Sequence, residues 1–298
     1  MTTLNQQAPS SDFNDRKTGL VVFGILEILL GTICALLVPL MLLGAIVSQF
    51  VEGESPAAPL SANMIVPGIL FYVLLAVWFI WMGIGSIRAR RWARALLLVS
   101  SSIWLVSGIG GLVAVLFVMP AMYEHMAETG KIPQQMATIM TYVMIAFMAV
   151  IYLIIPGILV AFYSSKHVKA TCEHRDPHVR WTDKCPLPVL AVSVMFAVAA
   201  GSILSMGFYQ WAIPFFGRIL DGSQGLFVVV VIALLMVYIS WGTFRLRIMA
   251  WWLATLAIVA WSASVVITFS RISFWTLYER MNFPKEQIDM MKDMYMMK

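Results

Sequence analysis

Charge is what this sequence has least of. Only 12% of its 298 residues are Asp, Glu, Lys or Arg, while 61% are hydrophobic. Soluble domains carry about twice that share of charge, so an ordinary soluble domain is excluded. The net charge of +5 does not indicate a nucleic-acid binder, because the basic residues crowd beside apolar runs, where the positive-inside bias puts them. Cysteine is nearly absent too. Cys34, Cys172 and Cys185 are too few for a disulfide scaffold, and none stands in a C-x-x-C motif. The four histidines, His125, His167, His174 and His178, all fall outside the long apolar runs, so no histidine can ligate a haem between spans. A phosphate loop, a G-x-S-x-G elbow and an H-E-x-x-H motif are all missing. No nucleophile–base pair or carboxylate pair stands out; Glu52, Glu54, Glu124 and Glu128 read as solvated loop positions. The sequence therefore reads as a non-enzyme with no cofactor. Residues 1–17 do not form a signal peptide, since the apolar run behind them is longer than an h-region and no A-x-A-like site follows. The short alternating pattern of an outer-membrane barrel is missing as well.

What is present is a series of long apolar runs, with a mean hydropathy of +0.86. Runs of about 20 residues cross a hydrocarbon core as helix, because lipid offers an open strand edge no partner. Seven spans are expected: 18–47, 64–87, 93–119, 139–164, 187–216, 226–243 and 248–269. Pro39, Pro156 and Pro214 should bend spans one, four and five. Small residues four apart (Ala197, Gly201 and Ser205; Gly31 and Ala35; Ser107 and Gly111) should let helix backbones approach.

The sequence also repeats. Residues 68–107 and 225–264 align without a gap through Gly68/Gly225, Gly85/Gly242, Arg88/Arg245, Arg90/Arg247, Trp104/Trp261 and Ser107/Ser264. Each copy is an apolar stretch, a G-x-x-R-x-R turn and a second apolar stretch. Tyr123-Glu124-His125-Met126 is echoed by Tyr278-Glu279-Arg280-Met281. The expected fold is thus an all-α transmembrane bundle of two parallel three-helix repeats joined by a linking span. Its divisions are a cytoplasmic tail at 1–17, repeat one at 18–137, the linking span at 138–165, a cytoplasmic loop at 166–186 and repeat two at 187–298. Lys and Arg cluster in the connectors that follow spans two, four and six, which places the N-terminus in the cytoplasm and the C-terminus outside. The tail's own basic residues argue against this, and the echo of the earlier outer loop is given more weight. A plasma membrane, such as a bacterial inner membrane, is the expected site. Three spans, one linking span and three spans resembles the layout of the SWEET sugar transporters, and the likeness is one of layout only.

Four places could carry chemistry. Glu27 is the one ionisable residue deep inside a span, ten residues past Lys17 or about 15 Å of helix, near the midplane. An intramembrane carboxylate is costly and is a candidate proton or cation site; otherwise it is a neutral acid bonded to a neighbouring helix. Cys172, His174, His178 and Cys185 can be drawn as a zinc site, although their spacing matches no known finger. The tail methionines Met281, Met290, Met291, Met294, Met296 and Met297 could suit Cu(I), or form an amphipathic surface helix. Arg88, Arg90, Arg245 and Arg247 should set topology and meet lipid phosphates. The favoured activity is transport of a small solute or ion between the two repeats, and the alternative is a non-catalytic accessory or assembly subunit. The expected partners are the bilayer and either another membrane protein or a second copy of the chain.

Overall fold

The computed structural model describes residues 14–50, 62–128 and 133–283, with 285, 288, 289 and 292. Helix dominates, and seven stretches are long and apolar enough to cross a membrane: Lys17–Val47, Ile65–Ile87, Arg91–Pro120, Gln134–Ser164, Leu187–Tyr209, Gly222–Phe244 and Ile248–Arg271. These define a multi-pass membrane protein. The elements are α1 (Lys17–Phe50), α2 (Ala62–Ile87), α3 (Arg91–Glu128), α4 (Gln134–Ala149), α5 (Ile155–Ser164), α6 (Lys166–Arg175), α7 (Leu187–Ile203), α8 (Gly222–Phe244), α9 (Ile248–Arg271) and α10 (Phe274–Arg280). Large side chains face outward along the spans, with Phe117 76% and Trp252 70% exposed. Such faces suit lipid and would be a liability in water.

Helices α4 and α5 make one span, interrupted by a π-helical turn at Val150–Ile154. The reason is Pro156, which lies just beyond that turn. Its ring cannot donate to the preceding turn and crowds the carbonyl there, and a wider turn absorbs both defects.

Span five departs from the sequence expectation of unbroken helix over 187–216. Helix α7 ends at Ile203, a 3-10 turn continues over Leu204–Tyr209, and strands β1 (Ile213–Phe215) and β2 (Arg218–Leu220) follow. Left-handed backbone at Gln210 (φ 58) and Trp211 (φ 58) stops the helix. The strands pair antiparallel, with Pro214 opposite Ile219 and Phe215 opposite Arg218. Their two-residue turn is Phe216 (φ 42) and Gly217 (φ 88), two positive φ values that match strand twist. Pro214 therefore lies in a strand and bends no helix. The hairpin is tied to α9: Phe216 N–H donates to Ser264 Oγ at 2.9 Å, and Gly217 N–H donates to Thr268 Oγ1 at 3.0 Å.

Helix α1 packs along α2, and α7 packs along α8. The α1–α2 contact is backbone on backbone. A Cβ at Gly24 would meet the Gly83 carbonyl oxygen at 2.7 Å, and one at Gly83 would meet that of Gly24 at 2.6 Å. Gly31 serves the same contact, as expected, with Ala76 O at 3.0 Å from its would-be Cβ. Gly201 and Gly111 do not serve any: nothing lies within 4 Å of a Cβ at either. Small size permits a close approach but does not produce one. The α7–α8 pair is held by reciprocal bonds, Ser193 Oγ donating to Ser240 O at 2.9 Å and Ser240 Oγ to Ser193 O at 2.8 Å. Helix α3 packs against α4, α5 and α7 and so links the two pairs.

The two R-x-R turns share one backbone design. Arg90 N–H donates to Gly85 O (3.0 Å) and Ala89 N–H to Ser86 O (2.8 Å); Arg247 N–H donates to Gly242 O (2.9 Å) and Leu246 N–H to Thr243 O (2.9 Å). Ala89 (φ 50) and Leu246 (φ 57) are both left-handed. Each turn is a Schellman cap with a non-glycine residue in the strained position.

Gly83→Ala is expected to destabilise the protein by about 1–3 kcal/mol, since the new methyl meets backbone that cannot swing away. Gly111→Ala, in open space, should be neutral or slightly stabilising. Thermal unfolding in detergent reads both, and equal effects would remove the special status of the α1–α2 contact.

Candidate functional site

Glu27 is buried (4% exposed) and faces the interior. The register set by Gly24–Gly83 and Gly31–Ala76 puts the midpoint of the α1–α2 pair near Gly31. Glu27 thus lies about 6 Å, one helical turn, toward the Lys17 end of that midpoint. Its neighbours come from α5 and α2. Tyr163 Oη lies 3.5 Å from Glu27 Oε1, Ser86 Oγ and Tyr163 Oη are 2.7 Å apart, and Ser86 Oγ lies 2.9 Å from the Leu20 carbonyl oxygen. Glu27 Oε2 is buried with no partner among the described residues. Tyr163 and Ser86 are 0% and 1% exposed, and Phe23 and Phe162, with ring centroids 4.3 Å apart, close the group on one side.

Each hydroxyl has one hydrogen to give. With Glu27 ionised, Tyr163 donates to the carboxylate and Ser86 to Tyr163, which takes Ser86 away from Leu20 O. With Glu27 protonated, its O–H donates to Tyr163, Tyr163 to Ser86 and Ser86 to Leu20 O. One added proton reverses the whole chain, and both arrangements use every hydroxyl hydrogen.

A second constellation sits at the Arg88 end of the bundle, where the 166–186 segment folds onto the helices. Val168 and Cys172 of α6 join a core cluster with Leu20, Met82 and Tyr163, while Cys185 joins a different one with Ala95, Val99 and Leu190. The centre of this end is Asp176, 1% exposed. Arg180 grips it with two bonds, Nε to Oδ2 at 3.0 Å and Nη2 to Oδ1 at 2.8 Å. Arg90 approaches it at 3.6 Å. Arg91 spans Glu173 (3.3 Å) and Asp183 (3.5 Å). Arg175 pairs with Asp15 at 2.7 Å, and Arg16 N–H donates to Thr171 Oγ1 at 3.0 Å. The segment is a clamp across α1, α2 and α3.

The four drawn zinc ligands are not brought together. Cys172 and Cys185 lie in separate clusters, His174 and His178 are exposed, and among the described residues no three His, Cys, Asp or Glu side chains form a metal-holding group. Burial, the largest influence, pushes the Cys172 thiol up to about 11 and raises that of Cys185, whereas zinc requires thiolates. Of the tail methionines, Met281 is described and half-buried; Met290, Met291, Met294, Met296 and Met297 lie outside the described residues. Arg88 is exposed. Arg90 has an acidic partner, so lipid does not hold it alone. Arg245 and Arg247 stand over the Trp241 ring at 5.7 and 4.4 Å. Ser86, Tyr163 and Asp176 carry no motif and come from distant parts of the chain; only the need of buried Glu27 for a partner pointed toward the first two.

No family model matches this chain, and neither does any curated protein or solved structure.

Hydrogen bonds from Arg180 hold the Asp176 carboxyl below its ordinary 3.8, against an opposing push from burial. A carboxyl with a depressed folded value adds stability that is complete above the unfolded value and lost as pH falls through the folded one. Asp176→Asn is therefore expected to cost about 2–3 kcal/mol at neutral pH, and to flatten the loss of stability that the wild type shows below about pH 4. Unfolding followed across pH 2–7 checks this, and parallel curves would count against the clamp.

Proposed function

We propose that this multi-pass membrane protein transports a small solute or ion, with Glu27 as the group that takes up and releases a proton or cation. The carrying observation is the carboxyl group itself: Oε2 is buried and has no partner among the described residues, while Oε1 meets Tyr163. An uncompensated polar atom among apolar helices costs free energy and is retained where it serves a purpose. Glu27 sits between α1, α2 and α5, so the proton-handling group belongs to one unit and the linking span rather than to a seam between the two units.

The architecture we read is two like-facing units, α1–α3 and α7–α9, joined by α4–α5. The matching caps at Ala89 and Leu246, and the shared pairing of first helix with second, support descent from a duplicated hairpin. The basic clamp end is read as cytoplasmic from its Lys and Arg excess. In that reading the termini face opposite compartments. Single cysteines introduced at residue 14 and residue 283 in a cysteine-free background should label with an impermeant maleimide from opposite sides. Labelling of both from one side would reject the arrangement.

A potassium gradient with valinomycin across liposomes, and a pH dye inside, tests the role of Glu27. Wild-type vesicles should acidify or alkalinise faster than protein-free ones, and Glu27→Gln should slow this at least about tenfold, since the amide holds no titratable proton. Flux no faster than in empty vesicles for both forms would end the proton-coupled reading.

One observation favours the alternative, a non-catalytic accessory subunit. Large apolar side chains such as Phe117 and Trp252 stand exposed along the spans, a surface that suits a second membrane protein as well as lipid. Purification in obligate company with a second polypeptide would shift the balance to that reading.

A further inference from the structure

Two cavities share the Arg88–Arg90 turn. One, about 680 Å³, is lined by Lys17, Arg88, Arg90, His174 and Arg175, with Asp15 as its acidic group. The other, about 300 Å³, is lined by Trp81, Ile84, Trp92, Arg88, Arg90 and Arg180. Five Lys or Arg side chains therefore converge on one site. The carboxylates facing them are already engaged: Asp15 by Arg175 at 2.7 Å, and Asp176 by Arg180 at 2.8 Å and Arg90 at 3.6 Å. Arg88 makes no ion pair among the described residues. Among the lining side chains five are positive and one, Asp15, is negative, so positive charge predominates in a concave, half-shielded site. Multiple guanidinium donors in such a place match the oxygens of a phosphate group.

The flanking surface adds a second feature. Trp81 is 50% exposed and Ile84 39% exposed on the outer side of α2, and Trp81 stacks on Trp92 at 4.7 Å. An apolar aromatic shelf thus adjoins the cationic cavities. The second R-x-R turn has the same backbone but not this site. Arg245 and Arg247 fold over Trp241 in the last turn of α8, and neither cavity includes them.

We propose that the Arg88–Arg90 turn, with Lys17, Arg175 and Arg180, is a binding site for a phosphate group, and that the equivalent turn of the second unit is not. The shared chemistry is a phosphate mono- or diester, borne on an anionic phospholipid or on a soluble phosphate compound. The apolar shelf of Trp81 and Ile84 suits the lipid-borne form. This inference does not depend on transport by Glu27.

Thermal unfolding of the full chain in detergent tests it, with titrations of dioleoyl phosphatidylglycerol, dioleoyl phosphatidylcholine, and glycerol 3-phosphate without lipid. Phosphatidylglycerol should stabilise the wild type where phosphatidylcholine does not, by ligand binding to the folded state. Arg88→Gln should weaken the apparent affinity at least about tenfold, roughly what loss of one charge-assisted contact removes. Lys17→Gln should weaken it also, while Arg245→Gln should stay within about twofold. Stabilisation by glycerol 3-phosphate that Arg88→Gln removes would support the site with a soluble source. Equal losses for Arg88→Gln and Arg245→Gln, or no stabilisation by either phosphate compound, would overturn the proposal.

Discussion

The contact on which the other features depend is the one between two glycines. Gly24 and Gly83 let α1 and α2 meet at backbone distance, and that contact fixes their register. Ser86 then falls level with the Leu20 carbonyl and bonds to it at 2.9 Å. The same register turns Glu27 inward beside Tyr163. In lipid the hydrophobic effect does not drive helices together, so close packing and interhelical hydrogen bonds must do so. Here the packing comes first, since serine can reach a carbonyl on the next helix only if the backbones are already near. The α7–α8 pair solves the same problem the other way, with paired serines in place of paired glycines.

The two R-x-R turns show how one backbone solution can carry different chemistry. Both chains close with the same pair of hydrogen bonds and the same left-handed residue. At the first, α6 and the segment after it bring Asp176, Arg175 and Arg180 into range. At the second, the nearest aromatic ring takes both arginines. What differs is the neighbour, and the neighbour is supplied by a segment that occurs once. The single 166–186 connector is therefore what makes the surroundings of the two turns unequal in charge.

The sequence made the spans legible because their signal is length and apolarity, which need no partner to be read. Six of the seven held their character along their whole length. The fifth failed beyond Tyr209 because hydropathy cannot distinguish an apolar strand from an apolar helix turn. Ile213, Pro214 and Phe215 are as apolar as what precedes them, and only the left-handed residues at 210 and 211 break the helix. Glu27 was legible for the opposite reason, as a charge where none belongs. Its partners were not, since Tyr163 is 136 residues away and looks like any aromatic near a span end. Likewise Gly201 reads the same as Gly31 in sequence, yet only Gly31 has a helix against it. The apparent Cys/His set dissolved because α6 turns Cys172 into the core and leaves His174 outside it.

The geometry also constrains how a proton could reach Glu27. The hydroxyl chain ends on the Leu20 carbonyl, which has no proton to pass on, so the chain stores a proton arrangement without conducting it to the basic cavities. Glu27, Ser86 and Tyr163 are all shut from solvent. Exchange therefore requires a helix to move. The α1–α2 seam is a poor candidate, because it is sealed by main chain on main chain. The seam between α1 and α5 is different: it is made by Phe23 against Phe162 and by the Tyr163–Glu27 bond at 3.5 Å. Side-chain contacts of this kind can yield by a change of rotamer, whereas a backbone contact yields only when a helix shifts as a body, in microseconds or longer. The π turn at Val150–Ile154, which already departs from α-helical bonding two turns before Tyr163, gives the linking span a place to flex. In the proposed proton-handling role, access to Glu27 would fall to α5, with α1 and α2 as the wall against which it opens.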